Sequence, residues 1–178
     1  MPFTNPKKNI EKFQILPGTC VVDLGCGSGE YSLLAALLAG EKGRLYAVDI
    51  QKDVLTSLKR RAQEKRIFNI EVIWGDVEKL GGTHLVDDSV DVAIASNIFF
   101  QIEDKESFVQ ETKRILKTGK GKVYLIDWLD SFGNLGPEKS RVVSPEVAKE
   151  IFSRNGFVLE RVLSDVGEHH YGLVFRKL

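Results

Sequence analysis

The sequence predicts a layered α/β fold on a mostly parallel sheet, and three observations carry that expectation. Short apolar runs alternate regularly with helix-period segments. A glycine-rich turn joins the first buried run to a long helix. The last two runs are joined by a short loop rather than a helix, so they should pair antiparallel. The 178 residues, 43% hydrophobic and 28% charged, suffice for one three-layer core and are few for two, so residues 1–178 read as a single domain.

Taken in order, Lys8 to Leu16 suits a short helix closed by the Pro17-Gly18 turn, and Cys20 to Leu24 reads as a buried first strand. Tyr31 to Ala39 follows as a helix ended by Gly40, then Arg44 to Val48 as a second strand finishing at Asp49. Lys52 to Lys65 places Val54, Leu55, Leu58 and Ala62 on one helix face, and Ile70 to Trp74 makes a third strand ending at Gly75-Asp76. Val90 to Ala95 is the fourth. Asp104 can cap a helix from Lys105 to Leu116, with Phe108, Val109, Ile115 and Leu116 toward the sheet. Gly119 and Gly121 release the chain into a fifth strand, Lys122 to Ile126, completing five strand–helix units. Ser144-Pro145 is an N-cap with proline at the first helical position, opening a helix to Arg154. Leu159 to Leu163 and Tyr171 to Arg176 are the closing strands.

Lys plus Arg and Asp plus Glu both number 25, so no global field draws in nucleic acid or anionic membrane. Lys59-Arg60-Arg61 and Lys113-Arg114 look like solvated helix faces. Met1 to Ile10 lacks the apolar core of a signal peptide and no run approaches membrane-spanning length, which points to the cytoplasm. Cys20 and Cys26 lie in or beside a strand and a glycine loop, so they read as reduced packing residues, with neither a disulfide framework nor a metal site.

The most informative stretch is Val21-Val22-Asp23-Leu24-Gly25-Cys26-Gly27-Ser28-Gly29, a strand running into alternating glycines and then a helix. Glycines remove the Cβ atoms that would block a ligand lying on the main chain, and the helix start offers unpaired amides. Dinucleotide-binding domains use a G-x-G-x-x-G turn at this place. Here the pattern is G-x-G-x-G, and Asp23 precedes it, where an anion repels a pyrophosphate and suits an ammonium group. Asp49, about twenty residues on, sits where a carboxylate accepts from both hydroxyls of a ribose. Asp76 can accept from an adenine amino group while the amide of Val77 donates to a ring nitrogen. Three acids at successive strand ends beside one glycine turn point to an adenosyl ligand.

Val21 to Ser32, Ala47-Val48-Asp49-Ile50, Gly75-Asp76-Val77 and Val90-Asp91-Val92 resemble the motif series of the class I S-adenosylmethionine-dependent methyltransferases. Ile126-Asp127-Trp128, Pro137 to Pro145 and His170 to Phe175 are similar to the ubiquinone and menaquinone biosynthesis methyltransferases. The resemblance implies a three-layer Rossmann-like sandwich, its seven strands in order 3-2-1-4-5-7-6 with strand seven antiparallel. It implies a methyltransferase that binds S-adenosyl-L-methionine and releases S-adenosyl-L-homocysteine. It places Asp23, Gly25, Gly27 and Gly29 at the methionine end, Cys26 through its main chain alone, Asp49 on the ribose, Ile50 on one adenine face, and Asp76 with Val77 on the adenine edge.

Ala95 to Gln101 follows strand four and faces the sulfonium end, so Asn97 is both a cofactor-binding and a positioning candidate. In-line displacement from a sulfonium needs alignment and a desolvated path more than an acid or base, so no catalytic base is assigned. Many relatives carry histidines where this chain has Phe99, Phe100 and Gln101; the two phenylalanines read as core or lid aromatics. If strand seven lies antiparallel to strand five, Asp127 and Trp128 neighbour His169, His170 and Tyr171, with residues 129–143 folding over them as a lid. Trp128, His169 and His170 thereby join Asn97 as positioning candidates around a small-molecule acceptor. Only the short segment before Cys20 precedes strand one, which leaves the pocket open or completed by a second subunit, in a monomer or a homodimer. The alternatives are a non-catalytic module for the cofactor or its product, an RNA or protein methyltransferase, and a nicotinamide-dependent oxidoreductase. Arsenite methylation, known among nearby relatives, needs several thiols, and Cys26 is committed to the glycine loop.

Overall fold

The computed structural model describes residues 4–132 and 136–178. Its centre is a seven-stranded sheet in the order β3-β2-β1-β4-β5-β7-β6. The strands are β1 (Cys20–Leu24), β2 (Arg44–Asp49), β3 (Ile70–Trp74), β4 (Val92–Ser96), β5 (Lys122–Trp128), β6 (Phe157–Leu163) and β7 (His170–Lys177). β3 to β5 run parallel across the sheet, whereas β7 pairs antiparallel with both β5 and β6. The expected order and the antiparallel ending are both present.

Five helices cover the two faces: α1 (Pro6–Ile10), α2 (Glu30–Ala39), α3 (Lys52–Glu64), α4 (Lys105–Ile115) and α5 (Pro145–Arg154). On one face α2 and α3 pack on Val21, Leu45, Ala47, Ile94, Tyr124 and Ile126. On the other, α4 and α5 bury Phe108, Ile115, Ile151 and Phe152 against Val123, Leu125 and Phe175. Phe152 stacks on Phe175 at 4.2 Å between centroids, and Phe99 meets both Phe108 and Phe152, so Phe99 is a core aromatic. The caps foreseen at Asp104 and Ser144 form, each side chain accepting an amide three residues on.

Several elements differ from the sequence expectation. The first helix spans Pro6–Ile10 rather than starting at Lys8, because Asn5 caps it and Pro6 pre-sets its first turn. The chain beyond it is fixed by tertiary contacts: Phe13 stacks on Tyr124 at 4.3 Å, and the Gln14 amide donates to the Tyr124 hydroxyl at 2.8 Å. Another difference is that β3 has no following helix, so the count of five strand–helix units is one too many. Residues 75–91 run as turns into β4, with the Asp76 amide bonded to the Gly82 carbonyl at 3.1 Å. A Cβ on Gly82 would lie 2.0 Å from the Asp76 carbonyl oxygen, so the turn closes only on glycine. β5 also runs two residues further than expected and carries Asp127 and Trp128 inside the strand.

Candidate active site

The carboxyl ends of β1, β2, β3 and β4 open into one cleft of about 450 Å³, the usual ligand position in a parallel α/β sheet. Asp23, Gly25, Cys26, Gly27, Asp49, Ile50, Asp76, Val77 and Asn97 all line it. The three strand-end acids thus share one cavity.

The glycine turn is built for three different reasons. Gly25, Gly27 and Gly29 have φ of 67°, 48° and 74°, in the left-handed region. A Cβ on Gly25 would lie 1.9 Å from Ile98 Cδ1, and one on Gly29 would lie 2.5 Å from Leu58 Cδ1. Those two glycines admit neighbouring side chains. Only at Gly27 would a Cβ meet nothing within 4 Å, so this is the stretch left bare toward the cavity. Cys26 is buried, and burial pushes its thiol well above the usual range.

Asp49 braces this turn as well as facing the cleft. Its Oδ2 accepts the Gly27 amide and its Oδ1 the Gln51 amide, both at 2.9 Å, and each oxygen keeps a further lone pair. Ile50 is exposed beside it, its carbonyl held by the Trp74 indole N–H at 3.0 Å. Asp76 accepts the Glu78 amide at 3.0 Å and lies 2.9 Å from the Lys79 ammonium, which chiefly lowers its carboxyl below the ordinary range.

Asp23 is different. It is 3% exposed, accepts the Ser32 hydroxyl at 2.5 Å, and has no cation partner among the described residues. Burial pushes its carboxyl up to about 6, the Ser32 bond opposing and nearby Asp49 assisting. A buried carboxylate this short of donors is suited to a cationic ligand. Asn97 is the second such group. Its φ is 54°, rare for a residue with a Cβ, and its side-chain oxygen is buried without a hydrogen-bond partner.

Other walls of the cleft were not singled out from the sequence, Thr4, Pro6, Tyr31 and Ile102, whereas Ser96 and Gln101 belong to the segment expected to face the sulfonium end. The N-terminal segment therefore forms part of the cleft rather than leaving this end bare. Asn9 Nδ2 donates to the Tyr31 hydroxyl at 3.1 Å and to the Val166 carbonyl at 2.9 Å, tying α1 over α2. One signal was present in Asn5-Pro6, a cap and first-turn pair. Ser96 was reachable from strand alternation, since it shares a face with Ile94.

Trp128, His169 and His170 do come together. Trp128 is paired with His170 and Asp127 with Tyr171 across β5 and β7, and the Trp128 and His170 rings are 4.3 Å apart. His169 Nδ1 lies 2.9 Å from Asp130, and its ring stacks on Phe132 at 4.1 Å. These three residues are not among the cleft walls, whereas Asn97 is. Burial, with His169 beside it, lowers His170 to about 4, and neither ring nitrogen has a partner. Of the expected lid, Phe132 and Gly136 pack on this group, and residues 133–135 lie outside the described residues.

The methyltransferase domain family matches residues 15–135, which include the glycine turn and all three strand-end acids. The chain belongs to this family. A SAM-dependent methyltransferase from Aquifex aeolicus superposes on the domain with a TM-score of 0.85 at 26% identity, over 97% of this chain and 89% of its own. Human arsenite methyltransferase is 33% identical over 113 residues, 60% of this chain and 30% of the relative. The demethylmenaquinone methyltransferase of Oceanobacillus iheyensis is 23% identical over 121 residues, 68% of this chain and 49% of the relative. The likeness to menaquinone methyltransferases thus holds, and the arsenite enzyme aligns at higher identity. The domain spans well under half the length of that arsenite relative. Its fold and family are those of S-adenosylmethionine-dependent methyltransferases.

Proposed function

We propose that residues 1–178 are one methyltransferase domain that moves the methyl group of S-adenosylmethionine to a small-molecule acceptor and releases S-adenosylhomocysteine. The observation that carries this reading is Asp23, a buried carboxylate lacking a cation and opening into the cleft that Asp49 and Asp76 also line. An α-ammonium group supplies the missing charge.

The residues fit an adenosyl amino acid from end to end. Asp23 and the turn from Gly25 through Cys26 to Gly27 would hold the amino-acid end, with Gly29 shaping the turn from behind, Asp49 the ribose hydroxyls, Ile50 an adenine face, and Asp76 with the Val77 amide the adenine edge. When bound, the cofactor supplies an electrophilic methyl group on a sulfonium. Asn97, with its unpartnered amide oxygen, orients groups at that end, and Thr4, Pro6 and Tyr31 help exclude water. No proton-transferring side chain is needed for alignment. Trp128, His169 and His170 are assigned to the acceptor side from their position beyond β4 in the sheet.

Arsenite is disfavoured as acceptor. Cys20 begins β1 and Cys26 lies past its other end, roughly 15–20 Å away at the rise of an extended strand, too far to share one arsenic. Nucleic acid is disfavoured because Arg61 is held by Ser28 and Glu30 and Arg114 by Glu111 and Asp87, which leaves those cations engaged. Among the described residues no helix is long and apolar enough to cross a membrane.

Isothermal calorimetry tests the donor site: S-adenosylhomocysteine should bind at one site per chain, and NADH should give no heat. The absence of heat with S-adenosylhomocysteine would overturn the reading. An acceptor screen with labelled methyl donor then separates an enzyme from a binding module, and alanine at Trp128, His169 or His170 should slow acceptor turnover more than it weakens S-adenosylhomocysteine.

A further inference from the structure

Between β4 and α4 the chain makes a tight turn whose shape is set by the neighbouring strand. The Asn97 amide donates to the Ile126 carbonyl at 2.8 Å. Asp127, the next residue of β5, accepts the Phe100 amide on Oδ2 at 3.0 Å and the Trp128 amide on Oδ1 at 2.7 Å. Both ends of the Asn97–Phe100 span are thereby fixed to β5. Within it, Gln101 Nε2 donates to the Asn97 carbonyl and the Gln101 amide to the Ile98 carbonyl, both at 2.8 Å. The outcome is the left-handed Asn97 with its unpartnered amide oxygen in the cleft wall.

Strand pairing asks nothing of the Asp127 side chain, so a carboxylate that is 1% exposed at this place requires another reason. Burial pushes its carboxyl up to about 6 in spite of the amides of Trp128, Phe100 and Phe99. The ionisable groups facing it are Lys105 from α4, whose ammonium donates to the Ile102 carbonyl at 2.6 Å, and Tyr171, its register partner on β7. A left-handed asparagine whose carboxamide oxygen lacks a partner is held by its surroundings, and Asp127 supplies part of that constraint from outside the cleft.

We propose that Asp127 is a positioning residue for methyl transfer: by holding the Phe100 amide it sets the Asn97 carboxamide at the methyl-bearing end of the cleft. The assignment rests on the donor reading above and adds to it a residue that touches neither cofactor nor acceptor.

Amide hydrogen exchange and a double-mutant cycle test it on the full chain. In Asp127→Asn the Phe100 amide should exchange at least about tenfold faster, with α2 and α3 unchanged. Corrected for intrinsic chemistry, exchange at Phe100 in the parent should quicken as pH falls through about 6, and the variant should be flat. Asp23 titrates near the same pH but does not bond to Phe100, so it leaves this readout alone. In calorimetry with S-adenosylhomocysteine, Asp127→Asn should weaken binding about fivefold, Asn97→Ala about tenfold, and the double variant no more than Asn97→Ala. Losses that multiply, or parent-like exchange at Phe100, would overturn the proposal. If the parent binds no S-adenosylhomocysteine, the donor reading falls and takes the methyl-transfer role with it, while the exchange result still decides whether Asp127 holds the turn.

Discussion

Asp23 at the end of β1 and Glu111 inside α4 are 3% and 1% exposed, yet their carboxyls move in opposite directions. Burial pushes Asp23 up to about 6, against the hydroxyl and amide of Ser32 alone. Burial would raise Glu111 too, but Arg114, the Thr83 hydroxyl and the amides of Gly81 and Thr83 overcome it and hold the group down at about 2. Both side chains are closed to solvent, but Asp23 lies deeper and Glu111 is the better supplied with donors. The saturated carboxylate ties the turns after β3 to α4, and the under-supplied one faces the cleft, so donor count separates a structural acid from a ligand-binding acid.

The largest effect that could break this contrast belongs to Glu111. Glu111→Gln removes the charge that holds Arg114 and should cost about 3 kcal/mol of stability in urea unfolding near neutral pH. S-adenosylhomocysteine affinity should fall by no more than about threefold, because the group lies outside the cleft. The pH dependence has a definite sign. The folded-state carboxyl is lower than its unfolded value of 4.5, so its contribution is present above pH 4.5 and is lost as pH falls toward 2. A variant as stable as the parent at pH 7 would remove Glu111 from the structural side of the comparison.

Asp23→Asn should give the mirror image. Binding of S-adenosylhomocysteine should weaken about a hundredfold, as when one partner of a buried ion pair is truncated. The ligand-free protein should not lose stability. Its carboxyl is raised from 3.8 to about 6, so the parent is favoured by protonation below pH 3.8 and progressively loses that advantage as pH rises to 6. Above pH 6 the asparagine variant should be the more stable protein by up to about 3 kcal/mol, the equivalent of the shift. Urea unfolding of both proteins at pH 5 and 7.5 reads the crossover; a destabilised Asp23→Asn variant that still binds ligand would reverse the assignment.

The same contrast explains what was legible in the sequence. Patterns set by the local chain were readable: Lys52 to Lys65 carries a helical stripe, and Cys20 to Leu24 runs into alternating glycines before a helix. Strand order then brought Asp23, Asp49 and Asp76 to one rim, and the hairpin ending placed Trp128 opposite His170. What depends on how elements lean on one another was not readable. Sequence spacing makes Trp128 and His170 neighbours but leaves undecided which walls they line, and they are not among those of the donor cleft. Thr4 and Pro6 reach the cleft because Asn9 and Phe13 dock on Tyr31 and Tyr124, contacts spanning twenty to over a hundred residues. Glu111 was hidden for the same reason: its partners at Gly81 and Thr83 lie in turns with no periodicity to announce them.

The smallest expected effects test whether the glycine turn divides in the same way. Gly29→Ala forces a left-handed backbone on alanine and presses on Leu58, costing about 2 kcal/mol of stability while changing S-adenosylhomocysteine affinity by less than about threefold. Gly27→Ala meets open space, so it should lose only about 1 kcal/mol, from its φ of 48°. Its methyl group projects where the proposed ligand would lie against the main chain, so affinity should drop about tenfold. Thermal unfolding and calorimetry on the two variants therefore give opposite rankings if one glycine serves packing and the other serves the ligand. Equal rankings would mean that the turn is bare for the sake of its own bend, and the donor site would then have to rest on the carboxylates alone.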